Sequence, residues 1–174
     1  DEQAKSMVFI KPDPESKEGK FLTRRREILG GPVPYRHKDG EKLTVPTTKS
    51  FEDMHASTGE RELSTTMAFV RLLTKLVKDK NVGERIVPFV SAEARTFGME
   101  GLFRQIGIYA PDGQLYEPVD KESFLWYRED KKGQILEEGI TEAGAMSSWI
   151  AAATSYANHQ VSMIPFFIFY SIFN

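Results

Sequence analysis

The chain has 174 residues, 40% of them hydrophobic, which suffices for one globular domain with a core, or for a domain and an arm. Its 23 basic residues stand against 25 acidic ones, which implies no basic face and argues against a nucleic-acid partner. With no cysteine there is no disulfide framework, no thiol nucleophile and no cysteine-ligated metal, a composition that fits a cytoplasmic protein. The N-terminal stretch DEQAKSMVFIKPDPESKEGK lacks the apolar centre of a signal peptide. The longest apolar run, Met163 to Phe173, is about half the length of a membrane span, so no membrane partner is expected.

The first fifty residues hold five of the nine prolines, namely Pro12, Pro14, Pro32, Pro34 and Pro46. One helix is expected there, from Glu15 to Leu29, with Pro14 near its first turn and Gly30-Gly31 ending it. Arg24-Arg25-Arg26 reads as a solvated helix face in preference to an anion clamp. Residues 31 to 50 have turn chemistry and little periodicity and read as an irregular connector.

The compact part is expected to begin near Ser64. That residue can cap a helix with an apolar stripe of Met67, Phe69, Val70, Leu72, Leu73, Leu76 and Val77, loaded at its end by Lys75, Lys78 and Lys80 and stopped by Asn81 or Gly83. Ile86 to Val90 reads as a short buried strand, which Pro88 should place at an edge or give a bulge. A loop with Glu93, Arg95 and Gly98 follows, then a short helix around Leu102, Phe103 and Ile106, and a turn at Pro111-Asp112-Gly113. Phe124 to Tyr127 reads as a strand or a helical turn. A strand at Ile135-Leu136, a long helix reaching Asn158, and a last strand from Met163 to Tyr170 complete the pattern.

Strands apolar on both faces, alternating with helices, predict an α/β fold with a parallel sheet covered by helices on both faces. The last strand is apolar enough for mid-sheet, so the domain is expected to be a piece of something longer. Within the long helix Met146, Trp149, Ile150, Ala153 and Ala157 follow helical spacing, and Glu142 stands at its mouth. Loops after parallel strands are where open α/β sheets bind ligands, which makes this stretch the first candidate for chemistry. On spacing alone, a charge complementing the helix dipole is the simpler reading of Glu142.

Three blocks, EARTFGMEGLFRQIGIYAPDGQLYEPVD, EDKKGQILEEGITEAGAMSSWIAAATSY and MIPFFIFYS, occur in that order. Over roughly residues 17 to 173 the chain closely resembles the homodimeric bacterial type of pyruvate dehydrogenase, the thiamine diphosphate dependent decarboxylating component of its complex. The resemblance implies part of a transketolase-like pyrimidine-binding domain over residues 51 to 174, with residues 1 to 50 as an arm from an upstream domain.

It also implies roles. Glu142, in the block GITEAG, resembles the glutamate that shares a proton with the aminopyrimidine ring nitrogen and so favours the imino tautomer that deprotonates the thiazolium. Burial beneath Trp149 and Ile140 is expected to oppose the pull of the helix end on this acid. Ile140 resembles a residue that packs on the cofactor, and Phe173 the aromatic that stacks on the aminopyrimidine. Tyr170 stands near them, as a cofactor contact or as core packing. Glu93 resembles a catalytic acid of the active centre, although Ala92 stands where the family usually has aspartate, and Asn174 where it continues with glycine. The family's substrate is pyruvate, and the acyl group passes to a lipoyl group of the dihydrolipoamide acetyltransferase component.

The GDG motif and later asparagine that bind the family's magnesium have no counterpart here. His37, His55 and His159 lie far apart and suggest no metal site. The diphosphate half of such a site is therefore expected on other domains of the enzyme or on a homodimer partner. The alternative is a catalytically inactive fragment that keeps the fold and a subunit-interaction surface.

Overall fold

The computed structural model describes residues 5–6, 11–33, 35–91, 94–119 and 127–173. Ala92, Glu93, Phe124 to Trp126 and Asn174 lie outside these residues, and with them the expectations placed on those positions.

Helix α1 (Lys17–Ile28) starts where expected, with the Ser16 hydroxyl accepting from the Gly19 N–H at 3.0 Å. It ends through Gly30 and Gly31, at φ 87° and 111°. Arg24, Arg25 and Arg26 are all exposed, as a solvated face requires. Among the described residues the connector has no regular structure before the 3₁₀ turn Thr48–Phe51, yet it is strapped to the domain. The His37 N–H donates to the Ala157 carbonyl at 2.7 Å, Arg85 pairs with Glu41 at 2.7 Å, and the Ser162 hydroxyl donates to the Glu41 carbonyl at 2.9 Å. The packed part begins earlier than Ser64, because Lys75 reaches back to Asp53 in the short helix α2 (Glu52–His55) and to the Ser50 carbonyl.

Helix α3 (Thr65–Leu76) is capped by Ser64, whose hydroxyl accepts from Met67 N–H at 3.1 Å, and it buries Val70 and Leu73. It ends before Asn81, because the chain turns through Asp79, whose carboxylate accepts from the Asn81 and Val82 N–H groups. Strand β1 (Ile86–Val90) follows, then α4 (Glu100–Ile106), β2 (Ile108–Tyr109), β3 (Glu129–Asp130) and β4 (Leu136–Glu137). Helix α5 (Glu142–Ala153), helix α6 (Ser155–His159) and strand β5 (Ile164–Ile168) complete the order.

The main sheet is parallel, in the order β4-β1-β5, with Phe89 opposite Leu136 and Phe167, and Val90 opposite Glu137 and Ile168. Alternate residues face opposite sides. Ile86, Val90, Ile164, Phe166 and Ile168 join Val70 and Leu73 of α3 and Leu102 and Phe103 of α4 in one core. Helix α5 packs on the other face, where the Trp149 indole donates to the Pro165 carbonyl at 3.2 Å. This is the α/β arrangement with helices on both faces that the apolar strands predict.

Two expectations need correction. Strand β1 is central, not an edge, despite Pro88. The Val90 carbonyl accepts from Glu138, so the alternate residue Pro88 turns its nitrogen to the same side, and β4 begins only opposite Phe89. The missing N–H therefore falls short of the ladder. The strand β5 lies at the edge of the sheet among the described residues, all five of its residues half-buried, and this does not test the expectation of a mid-sheet place in a longer domain. The single long helix is two, because Thr154 and Ser155 turn their hydroxyls onto backbone carbonyls. Helix α6 then ends at Gln160, at φ 57°.

A small parallel sheet joins β2 and β3, and Ile108 also bridges to Ile135. Gly133 permits this. A β-carbon there would lie 2.3 Å from the Ile108 carbonyl atoms and 2.4 Å from the Tyr109 nitrogen. Backbone cannot yield as a side-chain tip can, so Gly133→Ala should destabilise the chain by about 3 kcal/mol. Urea unfolding checks this, and a loss under about 1 kcal/mol would show that the β2 backbone moves aside freely.

Candidate active site

All three strands of the main sheet run the same way, so the segments after β1, β4 and β5 leave from one edge. Among the described residues, the candidate site residues Ile140, Glu142, Tyr170 and Phe173 fall on the segments after β4 and β5. After β4 the chain turns at Gly139, φ 79°, and the Thr141 hydroxyl caps α5 by accepting from the Gly144 N–H at 3.2 Å. The absence of a side chain at Gly144 lets the cap approach, since a β-carbon there would lie 3.0 Å from Thr141 Cγ2. Glu142 is thus the first residue of α5. It is half-buried, and its Oε1 accepts from the Ser91 hydroxyl at 3.4 Å.

Ser91 is buried, immediately after β1. Sequence reasoning missed it, although a hydroxyl directly after a buried parallel strand is a signal of its own. Ile140 does not cover Glu142 as expected. It is 91% exposed, because the Gly139 turn carries it off the sheet, while the Trp149 indole is held on the Pro165 carbonyl.

Tyr170 lies just past β5. Its hydroxyl shares a hydrogen bond with Thr96, and its ring lies on Phe97 with centroids 4.8 Å apart. Phe173 closes the 3₁₀ turn Ser171–Phe173. The structure therefore ties Glu142 to Ser91 and Tyr170 to Thr96, both through the segment that follows β1. Among the described residues no group of three or more His, Cys, Asp or Glu is placed to hold a metal ion, and no helix is long and apolar enough to cross a membrane.

On the α4 side of the sheet the same edge carries a cavity of about 440 Å³, lined by Ala94, Arg95, Thr96, Phe103, Tyr127 and Glu137. Glu137 pairs with Val90 in register, so it points to that side. Burial raises its acid above the ordinary value, the Ala94 N–H opposes this by hydrogen-bonding to it, the charge of Glu129 adds to the rise and Arg95 lowers it. Glu129 itself accepts from Tyr116 at 2.8 Å and Tyr127 at 3.0 Å, and Tyr127 meets Phe103 edge-on at 5.8 Å.

With this geometry in hand, likeness to known proteins is decisive. The family described as the pyruvate dehydrogenase E1 component middle domain matches residues 43–174. The chain belongs to that family. It is 58% identical over 173 residues to the pyruvate dehydrogenase E1 component of Pseudomonas aeruginosa, covering 99% of this chain and 20% of that protein. The E1 component of Cupriavidus necator is 51% identical over 174 residues, covering 99% and 19%. That of Escherichia coli strain K12 is 48% identical over 174 residues, covering 99% and 20%. The chain thus spans about a fifth of the length of the curated relatives it matches. Its sheet is the parallel α/β sheet expected of that middle domain, and the pyruvate dehydrogenase resemblance read from the sequence holds.

Glu137 gives a pH-dependent prediction. Its acid is raised on folding, so its contribution to stability is fully present below the ordinary value of 4.5 and is lost as pH rises through the folded value. Glu137→Gln keeps an acceptor for the Ala94 N–H without the charge. It should therefore melt above wild type at pH 7, and the gap should close as pH falls below 4.5. Thermal melts of both chains between pH 4 and 7, a range chosen around the usual glutamate value, check it. A gap that stays constant with pH would assign the effect to packing.

Proposed function

We propose that the chain is part of a thiamine diphosphate dependent pyruvate dehydrogenase of the cytoplasm, with residues 51 to 174 forming part of its pyrimidine-binding domain and residues 1 to 50 an arm from an upstream domain. The observation that carries the reading is Glu142, an acid fixed at the start of α5 by a buried hydroxyl and set beside an open apolar side chain. A flat heteroaromatic ring with a basic nitrogen suits that pairing, because Ile140 offers it a face and Glu142 a proton. When bound, thiamine diphosphate supplies the carbon nucleophile that decarboxylates pyruvate.

The chain's own residues bind and orient. Glu142 holds a proton against the ring nitrogen, and the Ser91 hydroxyl keeps the carboxyl group turned toward the edge. Ile140 would pack on the ring, Tyr170 and Phe173 are further contacts by resemblance, and Glu93 is a second acid on the segment after β1. The diphosphate and its magnesium ion fall to other domains or to a homodimer partner. The acyl group passes to a lipoyl group on a dihydrolipoamide acetyltransferase component.

Substituting Glu142→Gln in the full-length enzyme keeps the shape and removes the acid. Turnover should fall about a hundredfold or more, as for loss of a positioned acid or base. The measurement is pyruvate decarboxylation with an artificial electron acceptor at saturating cofactor. Near-normal turnover would reduce Glu142 to a helix-end charge.

A further inference from the structure

Tyr170 stands two residues beyond the end of β5. The segment after β1 reaches it there. Met99 N–H donates to the Ala94 carbonyl at 3.0 Å and Gly98 N–H to the Arg95 carbonyl at 2.8 Å, closing residues 94–99 into a compact loop. Both ends of that loop, Ala94 and Met99, are buried. Gly98 is at φ 71°, and a β-carbon there would lie 2.6 Å from the Met67 sulfur, so the loop sits close on α3. The loop carries two contacts to Tyr170, the Thr96 hydroxyl at the phenol oxygen and the Phe97 ring against the phenol ring, 33° from parallel.

Thr96 itself is exposed, so its side chain adds little to the core. Its β-branched side chain has few rotamers, so a hydroxyl on a rigid loop is aimed with little loss of entropy. We propose that Thr96 is a positioning residue that sets the direction of the Tyr170 hydroxyl, and with Phe97 the plane of its ring, so that Tyr170 meets the cofactor's ring in one orientation. The proposal rests on the reading of Tyr170 as a cofactor contact. It adds a residue whose part in binding passes through its neighbour.

The test uses the full-length enzyme with Thr96→Val, Thr96→Ser, Tyr170→Phe and the Thr96→Val/Tyr170→Phe double variant. Affinity of the apoenzyme for thiamine diphosphate is read from quenching of tryptophan fluorescence, and stability of the apoenzyme from thermal melting. Removing the hydroxyl in Thr96→Val should weaken binding about three- to tenfold, the range of one net hydrogen bond. Thr96→Ser should restore most of it, and in the Tyr170→Phe background Thr96→Val should have no further effect.

Unchanged affinity in Thr96→Val would overturn the proposal. So would a further loss of the same size when Thr96→Val is added to Tyr170→Phe, since Thr96 would then act by another route. A fall in melting temperature that accounts for the weaker binding, with no rescue by serine, would leave Thr96 a structural residue only. If Tyr170→Phe alone binds as wild type, the premise about Tyr170 fails and the proposal with it. The Glu142→Gln result judges the wider reading separately.

Discussion

Burial of Ile86, Phe89 and Val90 holds β1 between β4 and β5, and everything at the carboxyl edge depends on that position. A central parallel strand needs cover on both faces, since neither face can be left to water. Helices α3 and α4 cover one face and α5 the other. The three strands then share one direction, and the segments leaving them converge. Gln134 reinforces the arrangement from the opposite end, its amide donating to the Gly83 and Ile86 carbonyls at 2.8 and 2.9 Å. Those acceptors flank the start of β1, so the entry to the strand is held as firmly as its ladder.

Much of the fold was legible because local chemistry and packing agreed. Ser16 and Ser64 cap the helices they announce, and IVPFV is a strand over the residues its apolar run suggests. Where they disagreed, packing prevailed. Pro88 lowers strand propensity at any position, but the cost vanishes if its nitrogen faces a stretch with no partner strand, which only the register of β4 decides. Thr154 carries no breaking signal as strong as glycine or proline. Its helix ends there because two adjacent hydroxyls both bond back to carbonyls. Ties such as Glu41 to Arg85 join residues distant in sequence, and no periodicity announces them.

The site was legible residue by residue only where a block carried it. The block GITEAG marks Glu142, and a strand followed by a turn and a helix mouth predicts its place at the edge. Ser91, Thr96 and Glu137 were not legible, because a serine, a threonine and a glutamate in a loop-rich stretch have many ordinary uses. Each acquires meaning through its partner. The hydroxyl of Ser91 matters because Glu142 lies across from it, and that pairing spans two strands.

Two carboxylates leave the same edge on different faces, and their surroundings separate what each can do. Glu137 turns into a cavity beside Tyr127 and Phe103, takes the Ala94 N–H, and is raised by burial. Such an acid is suited to holding a loop. Glu142 opens a helix, is steadied by a long hydrogen bond, and sits two residues from an isoleucine that is 91% exposed. Both acids are half-buried, and they differ in their partners, a buried hydroxyl for Glu142 and a backbone N–H at a cavity wall for Glu137. One segment links all of this. Ser91 bonds Glu142, Ala94 bonds Glu137, and Thr96 bonds Tyr170, so the chain leaving β1 touches the end of β4 and the segments beyond β4 and β5. A displacement of that segment would therefore disturb Glu137, Glu142 and Tyr170 together, which makes the central strand the frame of the candidate site as well as of the fold.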